Sequence, residues 1–135
     1  MMNFEVLHKR AVEIAERFHK VEIELIDILQ AIDERRVFVN YGYSSLFDYA
    51  TKALKLSESN AYNFITVARK AKAVPELKAA IHQGEITVSK ARKLTPVLTP
   101  DNSARWLEMA KTLPRVQLEK EIARAAPQST SPDRV

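Results

Sequence analysis

Nine apolar residues set the frame for this chain: Phe4, Leu7, Ala11, Ile14, Phe18, Val21, Leu25, Ile28 and Ile32 follow one another at spacings that alternate strictly between three and four. That alternation keeps side chains on one side of an α-helix, and over several heptads it is a coiled-coil seam. With Phe4 at position a, Ala11, Phe18, Leu25 and Ile32 also fall at a, and Leu7, Ile14, Val21 and Ile28 at d. Glu5 with Lys9, Glu13 with Arg17, and Glu16 with Lys20 are same-helix pairs in the favourable orientation. The pattern predicts one helix from about Asn3 to Val37, roughly 50 Å long at 1.5 Å per residue. Such a rod is longer than the remaining chain easily covers. Leu7, Ile14, Phe18, Val21, Leu25 and Ile28 are therefore expected to form a homodimer interface, the alternative being that the seam packs on this chain's own later helices.

The remaining sequence reads as shorter helices. Among 135 residues there are two glycines and six prolines, little material for hairpin turns, and Ala, Leu, Ile, Glu and Lys dominate. Gly42 in "NYGYSS" ends the rod, and Ser45 with Asp48 has capping-box spacing for a helix that stops near Leu56. Ser57 caps the next helix, which is expected to bury Ala61, Phe64, Ile65, Ala68 and Ala71 and to turn Ser59, Asn60, Asn63, Thr66, Val67 and Lys70 outward. Pro75 opens a helix of about Glu76 to Gln83 that Gly84 ends. Ile86, Val88, Ala91 and Leu94 suit either a short strand or a helix starting near Val88, and Ser89 to Lys93 favour the helix. Asp101 to Thr112 forms a further helix with Trp106, Leu107 and Ala110 inward, and Pro114 opens the last, to about Ala126. The fold class is all-α: a long N-terminal heptad helix over 1–39, a helix-turn-helix-like bundle over 40–126, and a disordered tail or linker start over 127–135.

Charge is unevenly distributed. Residues 1 to 40 hold six Lys and Arg against eight Asp and Glu, residues 41 to 98 nine against four, and the rest six against five. The basic excess of the middle segment is where a polyanion would bind. There are no cysteines, which fits a reducing compartment and removes any thiolate metal site, and no apolar run approaches membrane-spanning length, so a cytoplasmic protein is expected. The i, i+3 pairs Glu5/His8 and Glu16/His19 resemble carboxylate–histidine ligand spacing, but the heptad places them off the seam and roughly 16 Å apart. His82 is read as a helix-end residue. With glycines only at 42 and 84 no phosphate-binding loop can form, and no catalytic constellation is legible. No cofactor, metal, membrane or small-molecule substrate is expected.

Leu46 to Lys72 has the order of a helix-turn-helix unit, whose second helix enters the major groove. Ser59, Asn60, Asn63 and Thr66 occupy candidate base-reading positions, since an asparagine amide can bond an adenine edge twice. Arg69, Lys70, Lys72, Lys52 and Lys55 are candidate phosphate contacts to double-stranded DNA.

The run "GYSSLFDYATKALKLSESNAY", then Ala68-Arg69, Pro75-Glu76-Leu77 and "GEITVSKARKLTPVLTPDN", resembles the helical N-terminal domain of bacterial HNH-endonuclease-family proteins over roughly Val21 to Ala125. Leu56 to Leu94 is more loosely similar to the helix-turn-helix region of partition-type centromere-binding proteins. The resemblance implies a non-catalytic DNA-recognition or targeting module, with nuclease activity belonging to an HNH module that this sequence does not contain. Relatives often carry arginines where this chain has Asn63 and Phe64. The chain is either a standalone relative or a piece cut at a domain boundary. The competing expectation is an assembly domain whose functional part is the long helix and whose basic middle only solubilises.

Overall fold

The structure is a computed structural model that describes residues 3–126, so the expected disordered tail at 127–135 lies outside the described residues. The described residues are all helical or in connections, and none of their helices is long and apolar enough to cross a membrane. Helix α1, Phe4–Arg35, starts where the Asn3 side chain accepts a 2.9 Å bond from the Val6 amide. It ends at Arg36, held at φ 53°, so the rod closes slightly before Val37 and a short helix α2, Val37–Asn40, follows. Gly42 at φ 85° makes the turn expected of it. Helix α3, Leu46–Asp48, is capped by Ser45 and widens into a π segment, Tyr49–Ala53. Helix α4, Glu58–Ala73, is capped by Ser57, whose Oγ accepts from the Asn60 amide at 3.0 Å. Helices α5, Pro75–His82, α6, Val88–Leu94, α7, Ser103–Thr112, and α8, Arg115–Ala125, complete the body. The helix expected from Asp101 begins at Ser103 instead. Asn102 first latches the loop, accepting from the Thr99 amide at 2.7 Å and donating to the Val97 carbonyl at 2.8 Å.

Helix α4 is the hub, packed against α1, α3, α5 and α6. Its small residues permit that close approach: Ala61, Ala68 and Ala71 are buried beside Ile65, and Phe64 is half-buried. One expectation fails here, because Val67 is fully buried rather than outward. A helix covered on several sides needs an apolar arc wider than one stripe, and Val67 belongs to the extended arc. Lys70 leans across the same region, its Nζ donating to the Leu98 carbonyl at 2.9 Å.

Helix α1 divides into two lengths. Residues 3 to 21 are all exposed, whereas Ile26 and Leu29 are fully buried, with Ile23, Leu25 and Ile32 packed against the core. In heptad terms the body is seated on positions b and e, and it also half-covers the seam at Leu25 and Ile32, so Leu25 is not wholly free for the homodimer interface expected of it. Phe4, Leu7, Ile14, Phe18, Val21 and Ile28 remain between 48% and 80% exposed.

Candidate nucleic-acid interface

The N-cap at Ser57 satisfies one orphan amide of α4 and lets the first turn stand open to solvent, with Glu58, Ser59 and Asn60 exposed. Tyr62 of α4 is 62% exposed and lines two grooves. The groove toward α3, about 320 Å³, is lined by Ser45, Phe47, Thr66 and Arg69. The groove toward α6 and α8, about 330 Å³, is lined by Arg92, Lys93, Thr95, Pro96 and Ile122. A third, smaller cleft of about 120 Å³ is lined by Asn60 and Asn63 of α4, Ser89 and Arg92 of α6, and the carboxylate-bearing Glu22 of α1. Ser59 and Thr66 lie on the open side of α4, but the Thr66 hydroxyl already donates to the Tyr62 carbonyl at 2.7 Å.

Most of the cations expected to face DNA have partners within the chain. Arg69 grips Asp33 with two bonds, Nε to Oδ2 at 2.9 Å and Nη2 to Oδ1 at 3.1 Å. That bond, opposed by partial burial and aided by the charge of Arg69, holds the Asp33 carboxyl below the usual carboxylate range, and in turn raises the Arg69 guanidinium. Lys72 lies 3.6 Å from Glu34, and Lys52 lies 3.6 Å from Asp48. On α5, His82 Nε2 is 3.0 Å and Lys78 Nζ 3.9 Å from Asp27, so His82 ties its helix end to α1. Lys93 reaches Glu119 at 2.8 Å, and this bond first, then Arg115, holds the Glu119 carboxyl low. Lys55 enters no ion pair among the described residues and occupies a left-handed backbone position at φ 62°.

Asp27, Asp33 and Glu34 all belong to α1, while their partners belong to α4 and α5. Three of the nine Lys and Arg of the middle segment, Arg69, Lys72 and Lys78, thus pair with acids of the first segment and serve to dock α1 on the body. Arg92, like Lys55, stands outside these pairs. It is exposed, makes no ion pair among the described residues, and lines both the α6–α8 groove and the cleft holding Asn60 and Asn63. Sequence reasoning saw Ser89 to Lys93 only as a sign of helix. A cation two residues before the end of a short helix gives no hint that it faces α4.

Among the described residues no three His, Asp or Glu side chains gather in a way that could hold a metal ion. Comparison with protein-family models, curated proteins and solved structures gives no match.

Proposed function

We propose that this chain is a non-catalytic module that binds double-stranded DNA through the first turns of α4 and the adjoining face of α6. The carrying observation is Arg92, a guanidinium without an internal counter-ion that shares one cleft with the amides of Asn60 and Asn63 and the hydroxyl of Ser89. Guanidinium and carboxamide groups are the side chains best suited to base edges, and Arg92 also suits a phosphate. The helix order from Leu46 to Ala73 and the resemblance to HNH-family N-terminal domains support the same reading, in which the module would target a nuclease carried elsewhere. The test is fluorescence anisotropy with labelled random-sequence duplex across a salt series. Arg92→Ala weakens all duplexes and lowers the slope of log affinity against log salt by about one, whereas Asn63→Ala changes sequence preference. Wild-type protein that leaves duplex DNA unbound at low salt removes the proposal.

A second reading, an assembly domain that forms a homodimer, is favoured by a different observation. The α1 seam stays open to solvent from Phe4 to Val21 and at Ile28, although the body has packed against the neighbouring face of the same helix. On this reading Ile14→Asp abolishes assembly and charge changes on α4 are silent.

A further inference from the structure

We infer that a second copy of this chain docks antiparallel along the α1 seam, with a two-fold axis crossing the helix near Glu16. The inference rests on the assembly reading and adds its geometry. The open seam runs from Phe4 to Val21 and resumes at Ile28, while Leu25 between them and Ile32 beyond are half-covered by the body. Phe4 to Ile28 spans three and a half heptads, roughly 36 Å of helix, a length at which a seam of apolar a and d residues sustains a coiled coil. Folded back on itself in antiparallel register, the stretch pairs Phe4 with Ile28, Leu7 with Leu25, Ala11 with Val21 and Ile14 with Phe18 of the second copy. Each layer occurs twice. The small Ala11 then meets a valine, whereas a parallel pair would stack alanine on alanine between a leucine and an isoleucine layer.

Charge selects the same orientation. From Phe4 to Lys20 the helix carries four Lys and Arg against three Glu, and the paired stretch Val21 to Ile28 carries Glu22, Glu24 and Asp27 with no Lys or Arg. Asp27 is already engaged by Lys78 and His82 of its own body, which leaves Glu24 as the exposed acid of this stretch. Antiparallel docking sets the basic length of each copy against the acidic length of the other; parallel docking sets acid against acid. At the flanks, Arg10 and Glu24, both exposed and both at g, face each other twice across the antiparallel pair. The opposing contribution is one Arg17 against its own symmetry mate at the axis. A parallel pair offers Arg17 against Glu22, but the Glu22 side chain is only 17% exposed beside its own body and lies 3.4 Å from His19. The two bodies also separate in the antiparallel arrangement, because each sits where the other helix has reached its N-terminus.

The chain has no cysteine, so single substitutions report the orientation directly. Ala11 and Val21 are exposed, and Ala11→Cys and Val21→Cys leave the core intact. In the antiparallel pair a cysteine at 11 is roughly 15 Å along the axis from its own mate but opposite position 21, so only the second lies within disulfide reach. Mild oxidation of an equimolar mixture is expected to give the mixed disulfide, and either variant alone to stay uncrosslinked. Efficient self-crosslinking of each variant alone overturns the antiparallel geometry while leaving assembly standing. Absence of any crosslink, with wild-type protein sedimenting at the mass of one chain at every concentration, removes the geometry and the assembly reading together. As a second readout, Arg10→Glu is expected to weaken association by at least about tenfold, and Arg10→Glu with Glu24→Arg to restore it; a double variant as weak as the single one overturns the pairing.

Discussion

The bidentate bond between Arg69 and Asp33 joins residues 36 positions apart and fixes the hub helix to the rod. Its energetic worth is modest, since the Arg69 side chain is 59% exposed and water and salt screen the pair. Asp33→Asn should lower stability at neutral pH by about 0.5–1 kcal/mol, the range for a well-formed pair at the surface. The pH dependence has a definite sign. The folded-state pKa of Asp33 lies below its ordinary value of 3.8, so its contribution is fully present above that value and is lost as pH falls through the depressed folded value. Denaturant melts at pH 7 and near pH 2 check this: the gap between wild type and Asp33→Asn should narrow on acidification. A gap that is constant with pH would falsify the assignment of the bond as a stabilising ion pair. The same residue illustrates why a basic stretch in a sequence is an incomplete guide to a binding surface, because the carboxylate that engages Arg69 lies in another segment.

At the scale of the element, Lys55 and Ser57 determine how α4 is launched. Lys55 stands at φ 62°, a conformation that costs a residue with a Cβ roughly 1 kcal/mol and glycine much less. Lys55→Gly is therefore expected to raise the thermal midpoint slightly even though it deletes a cation, and any loss of DNA affinity in that variant belongs to the charge alone. Ser57→Ala, by contrast, should cost about 1 kcal/mol through the lost bond to the Asn60 amide, seen in urea melts. Much of this level was legible in the sequence. The caps at Ser45 and Ser57, the breaks at Gly42, Pro75 and Gly84, and the inward Trp106, Leu107 and Ala110 follow from backbone preferences and helical spacing, which are local. What escaped is non-local. The π segment at Tyr49–Ala53, the burial of Val67 and the Lys70 bond to Leu98 each depend on which helix lies across the way. The candidate site was half legible for the same reason: Asn60 and Asn63 sit on a recognisable helix, but the Arg92 that shares their cleft comes from α6.

Across the whole molecule the two lengths of α1 obey different physics. From Ile26 onward the helix is held by burial in the core and by the pairs that Asp27, Asp33 and Glu34 make with α4 and α5. Between Phe4 and Val21 it has no side chain buried, and a helix of that length in water is marginal on its own because propagation barely outweighs the cost of nucleation. Its continuity with the anchored half supplies a nucleus but not protection, so the exposed length should fray unless a partner covers the seam. Amide hydrogen exchange separates these contributions residue by residue. Amides of Ile26 to Arg35 are expected to exchange slowly at every protein concentration, since their protection is internal to one chain. Those of Ala11 to Val21 are expected to exchange fast in dilute protein and to gain protection as concentration rises, following mass action for a dimer. Protection of Ala11 to Val21 that is already complete in dilute solution and indifferent to concentration would mean that the rod is stable without a second copy, and the exposed seam would then need a different occupant.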